Sequence, residues 1–142
     1  MICRQRTGIP VETGAVVQFA VKTAEKNIYG KTTSAKKFEW IYPLAENDAV
    51  YGLGENTRGI NKRGFRYTSW CSDETNHNES TQSLYGAHNF IIVRGKKTFG
   101  IFFDTPSRIT FDLGWTDIHS ITVSSETDGI DVYYITPEKQ TK

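Results

Sequence analysis

The sequence predicts an all-β domain folded as an antiparallel β-sandwich. Short segments in which bulky apolar residues alternate with polar ones recur along the chain, and this period of two is typical of half-buried strands. Turn sequences rich in glycine, asparagine and aspartate separate these segments, and no long segment has the period of an amphipathic helix. A chain of 142 residues has the usual size of one compact domain, so residues 1–142 are predicted to form a single unit.

The strands can be assigned in chain order from this alternation. They are predicted at residues 15–22, 38–42, 50–54, 65–70, 89–93, 98–103, 108–112, 120–124 and 130–135. Pro43 ends the second strand, and two glycines in the third indicate a bulge or a close approach of another backbone. The strands at 89–93 and 98–103 are apolar after their first residue and predict a hairpin of two buried strands.

The segments between the strands predict turns, one polar stretch and one helix start. The basic residues at 94–97 and at 36–37 favour solvated turns, and residues 127–129 form a turn sequence between the last two strands. The polar stretch 23–37 is left outside the strands. Thr136 followed by Pro137 is typical of the first residues of a helix.

After the strand at 65–70 the alternation stops over the polar segment 71–83, which predicts a long loop. Connections of this length without regular structure are uncommon in compact domains and are often functional. The sequence therefore favours a functional role for this loop.

Charge and composition exclude several classes of function. The formal net charge of +1 provides no field for nucleic acid, and no apolar stretch is long enough to span a membrane. The three histidines, His77, His88 and His119, are not at metal-ligand spacing, and the glycines form no phosphate-binding loop, so no metal or cofactor is expected. Cys3 and Cys71 are expected to be free thiols, and without a signal peptide the predicted location is cytoplasmic.

A set of motifs in fixed order carries a family resemblance. These are Tyr51-Gly52-Leu53-Gly54-Glu55, Asn61-Lys62-Arg63-Gly64, Trp70, Asp73, Leu84-Tyr85-Gly86-Ala87-His88-Asn89-Phe90, Phe99-Gly100-Ile101-Phe102-Phe103-Asp104 with Pro106-Ser107, and Asp128-Gly129-Ile130-Asp131-Val132-Tyr133-Tyr134 before Thr136-Pro137-Glu138. Together they resemble the amino-terminal domain of glycoside hydrolase family 31, over roughly residues 38–138. Several motifs in the same order are far more specific than one motif alone.

The resemblance implies a fold and a parent activity. The fold is a β-sandwich of the galactose mutarotase-like supersandwich type. The parent enzyme would remove terminal α-linked glucose with retention, using two aspartates on a (β/α)8 barrel that follows this domain. Retaining hydrolysis needs two carboxyl groups about 5 Å apart. The chain contains none of that barrel, so it is expected to be a piece of a larger glycosidase, to contain no catalytic residue, and to be inactive alone.

The resemblance also implies a sugar-binding loop. Asp73 matches the loop aspartate that hydrogen-bonds sugar hydroxyls, and Thr75 lies where some relatives have a second polar contact. Charge-assisted hydrogen bonds suit this role, although an aspartate in a polar loop can equally serve a turn. Ser72 replaces the arginine that often precedes this aspartate. Trp70 could stack on a sugar ring, but packing in the core or an interface is favoured for a tryptophan at a strand end.

Two alternative functions remain open, and the sequence also predicts which partners the domain has. An independent carbohydrate-binding module would use a groove lined by Trp40, Trp70 and Trp115. An aldose-epimerase-like enzyme would need a paired histidine and glutamate in one cleft, and no such motif surrounds the three histidines. The expected partners are an α-glucoside and the catalytic barrel. A surface without its barrel would expose an apolar patch, through which the chain could form a homodimer.

Overall fold

The structure, a computed structural model, describes residues 2–6, 19–28, 31–127 and 130–136. These residues form ten strands and no helix. The strands are β1 Ile2–Arg6, β2 Phe19–Ile28, β3 Lys31–Pro43, β4 Ala49–Gly54, β5 Phe65–Ser69, β6 Ala87–Arg94, β7 Phe99–Asp104, β8 Ile109–Leu113, β9 Ser120–Ser125 and β10 Asp131–Ile135. The predicted all-β class is confirmed.

The strands form two five-stranded antiparallel sheets. The first sheet has the order β1-β10-β7-β6-β4, and the second has the order β2-β3-β9-β8-β5. The chain changes sheet several times, for example between β3 and β4 and between β5 and β6. The two sheets bury their apolar inner faces against each other, and this gives the predicted antiparallel sandwich.

The core lies between the sheets and follows the alternation of the strands. Along β9 the buried positions 121, 123 and 125 alternate with partly exposed ones, and β8 is buried at 109, 111 and 113. Aromatic rings meet across the core: Phe103 of the first sheet contacts Trp40 and Phe111 of the second edge to face, with centroids 5.6 and 5.7 Å apart. Trp40 and Phe103 are completely buried. These contacts join the two sheets into one body.

The prediction for residues 23–37 was wrong. β2 pairs along its whole length with β3, from Phe19 with Trp40 to Ile28 with Lys31, so the polar stretch lies in two paired strands rather than in irregular chain. Lys36 and Lys37, which predicted a turn, lie within β3. The alternation of apolar residues marks only strands with a buried face, whereas the backbone hydrogen bonds of a paired hairpin do not require one.

The other strand predictions agree with the structure within a residue or two. β6 and β7 form the predicted hairpin, with its turn in the basic segment 95–98. This hairpin is buried on one face only, because Ile92 on its outer face is exposed. β9 and β10 belong to different sheets, so the chain changes sheet between them.

The two chain ends differ from the predictions in other ways. β1 was not predicted, and it pairs with β10. The first part of the strand predicted at 15–22 and the helix predicted after Thr136 lie outside the described residues, as do Asp128 and Gly129 of the predicted turn. Within the described ranges, no helix has the length and hydropathy needed to cross a membrane.

β4 contains the predicted irregularity. Its pairing with β6 shifts in register between Gly52 and Gly54, and three consecutive residues have positive φ: Gly52 at 119°, Leu53 at 68° and Gly54 at 72°. A Cβ atom on Gly52 would lie 2.3 Å from the carbonyl oxygen of Phe90. The bulge and the close backbone approach that the glycines predicted are therefore both present.

Candidate functional site

The candidate site is the β5–β6 loop, residues 70–86, which contains the predicted polar segment. It connects the edge strand of the second sheet to the first sheet. It is irregular throughout and most of its side chains are exposed. A loop that connects two rigid sheets can hold side chains outside the sandwich without disturbing the core.

The two arms of this loop are joined near their base. The backbone N–H of Ser72 donates to the carbonyl of Leu84 at 2.9 Å, and the Ser72 hydroxyl donates to the Ser83 hydroxyl oxygen at 3.1 Å. The Ser83 hydroxyl in turn donates to the carbonyl of Trp70. Leu84 is buried and anchors the second arm. The loop thus has a fixed stem, and Asp73 is the next residue after it.

The far part of the loop is fixed to the segment that follows β4. Thr57 donates through its hydroxyl to the Asn78 carbonyl at 3.1 Å, and Arg58 Nε donates to the Glu79 carbonyl at 2.6 Å. The Arg58 guanidinium also lies over the Phe65 ring, 4.3 Å from its centroid. Because the loop is held at its stem and again at residues 78 and 79, the residues between these two points, including Asp73 and Thr75, occupy a defined place.

Asp73 and Thr75 are exposed and neither takes part in the loop's own framework. Their exposure leaves both side chains available to a ligand. The pKa of Tyr85, on the opposite arm, lies above its usual value, mainly because of its interaction with the Asp73 carboxylate. Tyr85 is itself half exposed. The structure therefore brings together a carboxylate and an aromatic side chain, and of these only Asp73 was predicted as a site residue.

Trp70 lies at the start of the loop, one residue beyond the end of β5. It is 45% exposed, so it does not pack in the core, whereas packing in an interface stays a prediction. The Arg108 guanidinium carbon lies 5.0 Å from the centroid of its ring, within the range of a cation–π contact. Beside it is an open groove of about 270 Å³, lined by Ser69, Trp70, Cys71, Ala87, Asn89, Thr105, Pro106 and Ser107. Trp70 is thus a surface residue with a groove beside it.

The prediction of a groove lined by three tryptophans is wrong. Trp40 is completely buried, and its ring packs against Phe103 and Tyr42. Trp115 is 60% exposed and stacks on Phe65 at the first residue of β5, whereas Trp70 follows the last residue of β5. The tryptophans therefore lie in the core and near opposite ends of one strand. Alternation alone could not show which aromatic residue faces inward.

The three histidines lie on separate parts of the fold. His77 contacts the Glu74 carbonyl within the loop, with 3.3 Å between them. The His88 ring is close to Gly54, and His119 lies in the β8–β9 connection. Among the described residues there is no group of three histidine, cysteine or acidic side chains that could hold a metal ion.

Other motif residues maintain the structure around the site. The side-chain oxygen of Asn61 accepts hydrogen bonds from the backbone of Val50 and of Arg63, both at 3.1 Å. The Arg63 guanidinium donates to the carbonyls of Ala45, Glu46, Asp48 and Ile118. A guanidinium has five N–H donors in a fixed plane, which suits it to joining several carbonyls. This motif thus fixes the loops next to β4.

Glu55 also has a role that its sequence position did not reveal. Its backbone N–H donates to the carbonyl of Gly86 at 2.8 Å, and its carboxylate accepts from the N–H of Gly86 at 3.0 Å. The last residue of the loop is therefore held between the main chain and the side chain of one residue. Nothing in the sequence around Glu55 indicates Gly86 as its partner.

The fold and this loop define a class: a two-sheet antiparallel sandwich domain with one fixed, polar loop between its sheets. The chain belongs to the family described as the glycosyl hydrolase 31 N-terminal galactose mutarotase-like domain, whose model matches residues 8–112. The family resemblance seen in the sequence motifs is confirmed.

Relatives and solved structures agree with this assignment. α-Glucosidase 2 of Bacillus thermoamyloliquefaciens is 40% identical over 92 residues, which cover 63% of this chain and 12% of that enzyme. A GH31 dextranase of Flavobacterium johnsoniae, solved with isomaltotriose, has a TM-score of 0.66 at 22% identity, over 80% of this chain and 14% of the dextranase chain. The cycloalternan-forming enzyme of Listeria monocytogenes has a TM-score of 0.65 at 19% identity, over 73% and 10% of the two chains.

The lengths of these proteins are informative. This chain spans about one eighth of the curated relative and a similar share of the solved structures. At these identities the solved structures show the shared fold. The chain therefore corresponds to the amino-terminal β-sandwich domain of much longer family 31 glycosidases.

Proposed function

We propose that this domain serves an α-glucosidase as a non-catalytic part that packs on the catalytic barrel and contributes the β5–β6 loop to sugar binding. The observation that carries the proposal is the fixed loop with Asp73 exposed at the end of its stem. The 40% identity to a protein named α-glucosidase 2 supports terminal α-linked glucose as the substrate.

Asp73 has the chemistry that sugar recognition requires. A carboxylate accepts hydrogen bonds from two neighbouring hydroxyl groups, and such charge-assisted bonds are stronger than bonds between neutral groups. Thr75 supplies a second polar group on the same loop, and Trp70 an apolar ring at its start. In this proposal the two carboxyl groups that perform hydrolysis belong to the catalytic barrel.

The test is Asp73→Asn in the enzyme that carries this domain. Loss of the charge should weaken binding of substrate and transition state alike, so KM for an α-glucoside rises about tenfold while kcat stays within about threefold. The matched control is Glu74→Gln, which removes the neighbouring charge and keeps the oxygen that accepts from Asn76 at 3.2 Å. Equal KM values for the wild type and Asp73→Asn would contradict the proposed role.

The groove beside Trp70 favours a second candidate, an independent carbohydrate-binding module. Titrating the 142-residue chain with isomaltose, while its tryptophan fluorescence is followed, separates the two candidates. The leading proposal expects no saturable change, because the domain alone supplies only part of the sugar site. Saturable quenching that Trp70→Ala abolishes would favour the module.

Two further parts of the proposal concern the whole protein. A cytoplasmic location stays a prediction, with which the free, exposed thiol of Cys71 is compatible. A homodimer of the isolated domain also stays a prediction.

A further inference from the structure

The end of β4 has an unusual backbone. Gly52, Leu53 and Gly54 all have positive φ, and Leu53 adopts this conformation although it carries a buried side chain. Such residues cost free energy and persist where the surrounding structure holds them. Asn56 supports this conformation by donating through its side-chain amide to the Leu53 carbonyl at 3.2 Å. The result is that the chain leaves β4 in a direction that places Glu55 against the last residue of the β5–β6 loop.

Glu55 and Gly86 form a closed pair of hydrogen bonds. The 2.8 Å bond runs from the Glu55 N–H to the Gly86 carbonyl, and the 3.0 Å bond runs from the Gly86 N–H to the Glu55 carboxylate. The pair continues the β4–β6 pairing by one step beyond Gly54 and Ala87. The second bond involves a charged acceptor, which makes it stronger than an ordinary backbone bond.

This pair fixes the backbone next to Tyr85. On one side of Tyr85 is Leu84, which is buried and accepts a hydrogen bond from the backbone of Ser72. On the other side is Gly86, held by Glu55. The backbone of Tyr85 is therefore held from both sides, and Ser72, the partner of Leu84, is the direct neighbour of Asp73.

We propose that Glu55 is a positioning residue that, through Gly86, holds Tyr85 and Asp73 in the arrangement that receives the sugar. The inference rests on the proposed role of Asp73. It adds two residues to the site: Glu55, which acts through the backbone, and Tyr85, whose half-exposed ring and hydroxyl accompany the carboxylate at the sugar.

The first test uses amide hydrogen exchange of the 142-residue chain. Glu55→Ala removes the side-chain acceptor, so exchange across residues 70–86 should rise about fivefold or more. Glu55→Gln keeps an acceptor oxygen and should stay within about twofold of the wild type. Glu46→Ala is the matched control, since it removes an exposed glutamate far from the loop in sequence. Exchange in β8 should stay within about twofold in all three variants.

Three results of this experiment would overturn the inference. The first is unchanged exchange of the loop in Glu55→Ala. The second is an equal rise of exchange in β8, which would indicate a general loss of stability. The third is loop exchange in Glu55→Gln as fast as in Glu55→Ala.

The second test uses the enzyme that carries the domain and separates this inference from the proposed function. Glu55→Ala should raise KM for an α-glucoside about fivefold with kcat within about twofold, and Glu55→Gln should restore the KM. A KM unaffected by Asp73→Asn, together with faster loop exchange in Glu55→Ala, would refute the sugar role of Asp73 and leave the positioning by Glu55 standing. If loop exchange in Glu55→Ala stayed at the wild-type rate while Asp73→Asn raised KM, only the positioning role of Glu55 would be refuted.

Discussion

At the scale of single residues, Asp112 shows how the second sheet holds a buried carboxylate. It accepts from Arg66 Nη2 at 2.9 Å, from the Thr116 hydroxyl at 2.6 Å, and from the backbone N–H groups of Trp115 at 2.9 Å and Thr116 at 3.1 Å. Burial raises the pKa of Asp112, but these hydrogen bonds together outweigh it and leave the pKa below its ordinary value. The charged form is thus the one that the fold stabilises.

The lowered pKa of Asp112 predicts a pH-dependent contribution to stability. A carboxyl whose pKa is lower in the folded state stabilises the protein fully above its unfolded pKa of about 4 and loses this effect as pH falls through the folded pKa. Asp112→Asn should therefore lower the free energy of unfolding by about 2 kcal/mol at pH 7, and the difference from wild type should narrow below about pH 4. Urea unfolding of wild type and Asp112→Asn, at pH 7 and below about pH 4, measures this difference in the free energy of unfolding.

The control for this prediction is Asp104→Asn, an exposed carboxyl at the end of β7. It should change the free energy of unfolding by less than about 0.5 kcal/mol at either pH. If the difference in the free energy of unfolding between wild type and Asp112→Asn grew as pH falls, the pKa of Asp112 would not be lowered by folding.

At the scale of elements, β4 depends on its glycines. The bulge allows β4 to pair with β6 and then to direct Glu55 toward Gly86, and it requires backbone conformations that side chains rarely permit. Gly52 is the most constrained of these positions, because the Phe90 carbonyl oxygen occupies the space of a Cβ atom.

Gly52→Ala should therefore destabilise the protein strongly. The added methyl group must move the backbone of β4 or β6, which predicts a loss of more than about 2 kcal/mol in the free energy of unfolding. Gly59→Ala is the matched substitution, because a Cβ atom added at Gly59 would have no neighbouring atom within 4 Å. It should stay within about 0.5 kcal/mol of wild type. Thermal or urea unfolding of both variants tests the prediction. Similar stabilities would show that β4 can shift to accept a side chain.

At the scale of the whole molecule, the outer faces of the two sheets differ in chemistry. The outer face of the second sheet is mostly polar, with threonine, serine and charged side chains at alternate positions. The outer face of the first sheet is mostly apolar and partly exposed; it presents Tyr51, Phe90, Ile92, Phe102, Tyr133 and Ile135. An apolar outer face is typical of a surface that packs on another body. We expect the catalytic barrel to cover it in the enzyme.

The isolated domain should associate through this face. Ile92, 37% exposed, lies on it beside Tyr51 and Gly100, so Ile92→Lys should reduce self-association measured by light scattering. Ile41→Lys is the matched control, because Ile41 is 44% exposed on the polar outer face of the second sheet. If wild type were a monomer at every concentration, or both variants behaved alike, this surface would not be the one that associates.

Local patterns in the sequence were sufficient to predict the class of fold, most of the strands, the family and the loop that carries Asp73. These patterns are the alternation in strands with one buried face, the turn residues between them, and the motifs in a fixed order. The polar β2–β3 hairpin and β1 escaped this reasoning, because backbone pairing with a distant or polar partner leaves no apolar period.

Which side chains meet could be learned only from the folded molecule. The fold places Trp40 in the core and Trp70 and Trp115 near opposite ends of β5, and it brings Glu55 to Gly86 and Ser72 to Leu84. Each of these contacts joins residues that are apart in the chain, or settles a direction that alternation leaves open. A side chain's neighbours depend on how two sheets stack and where a loop is fixed, and no short stretch of sequence encodes either.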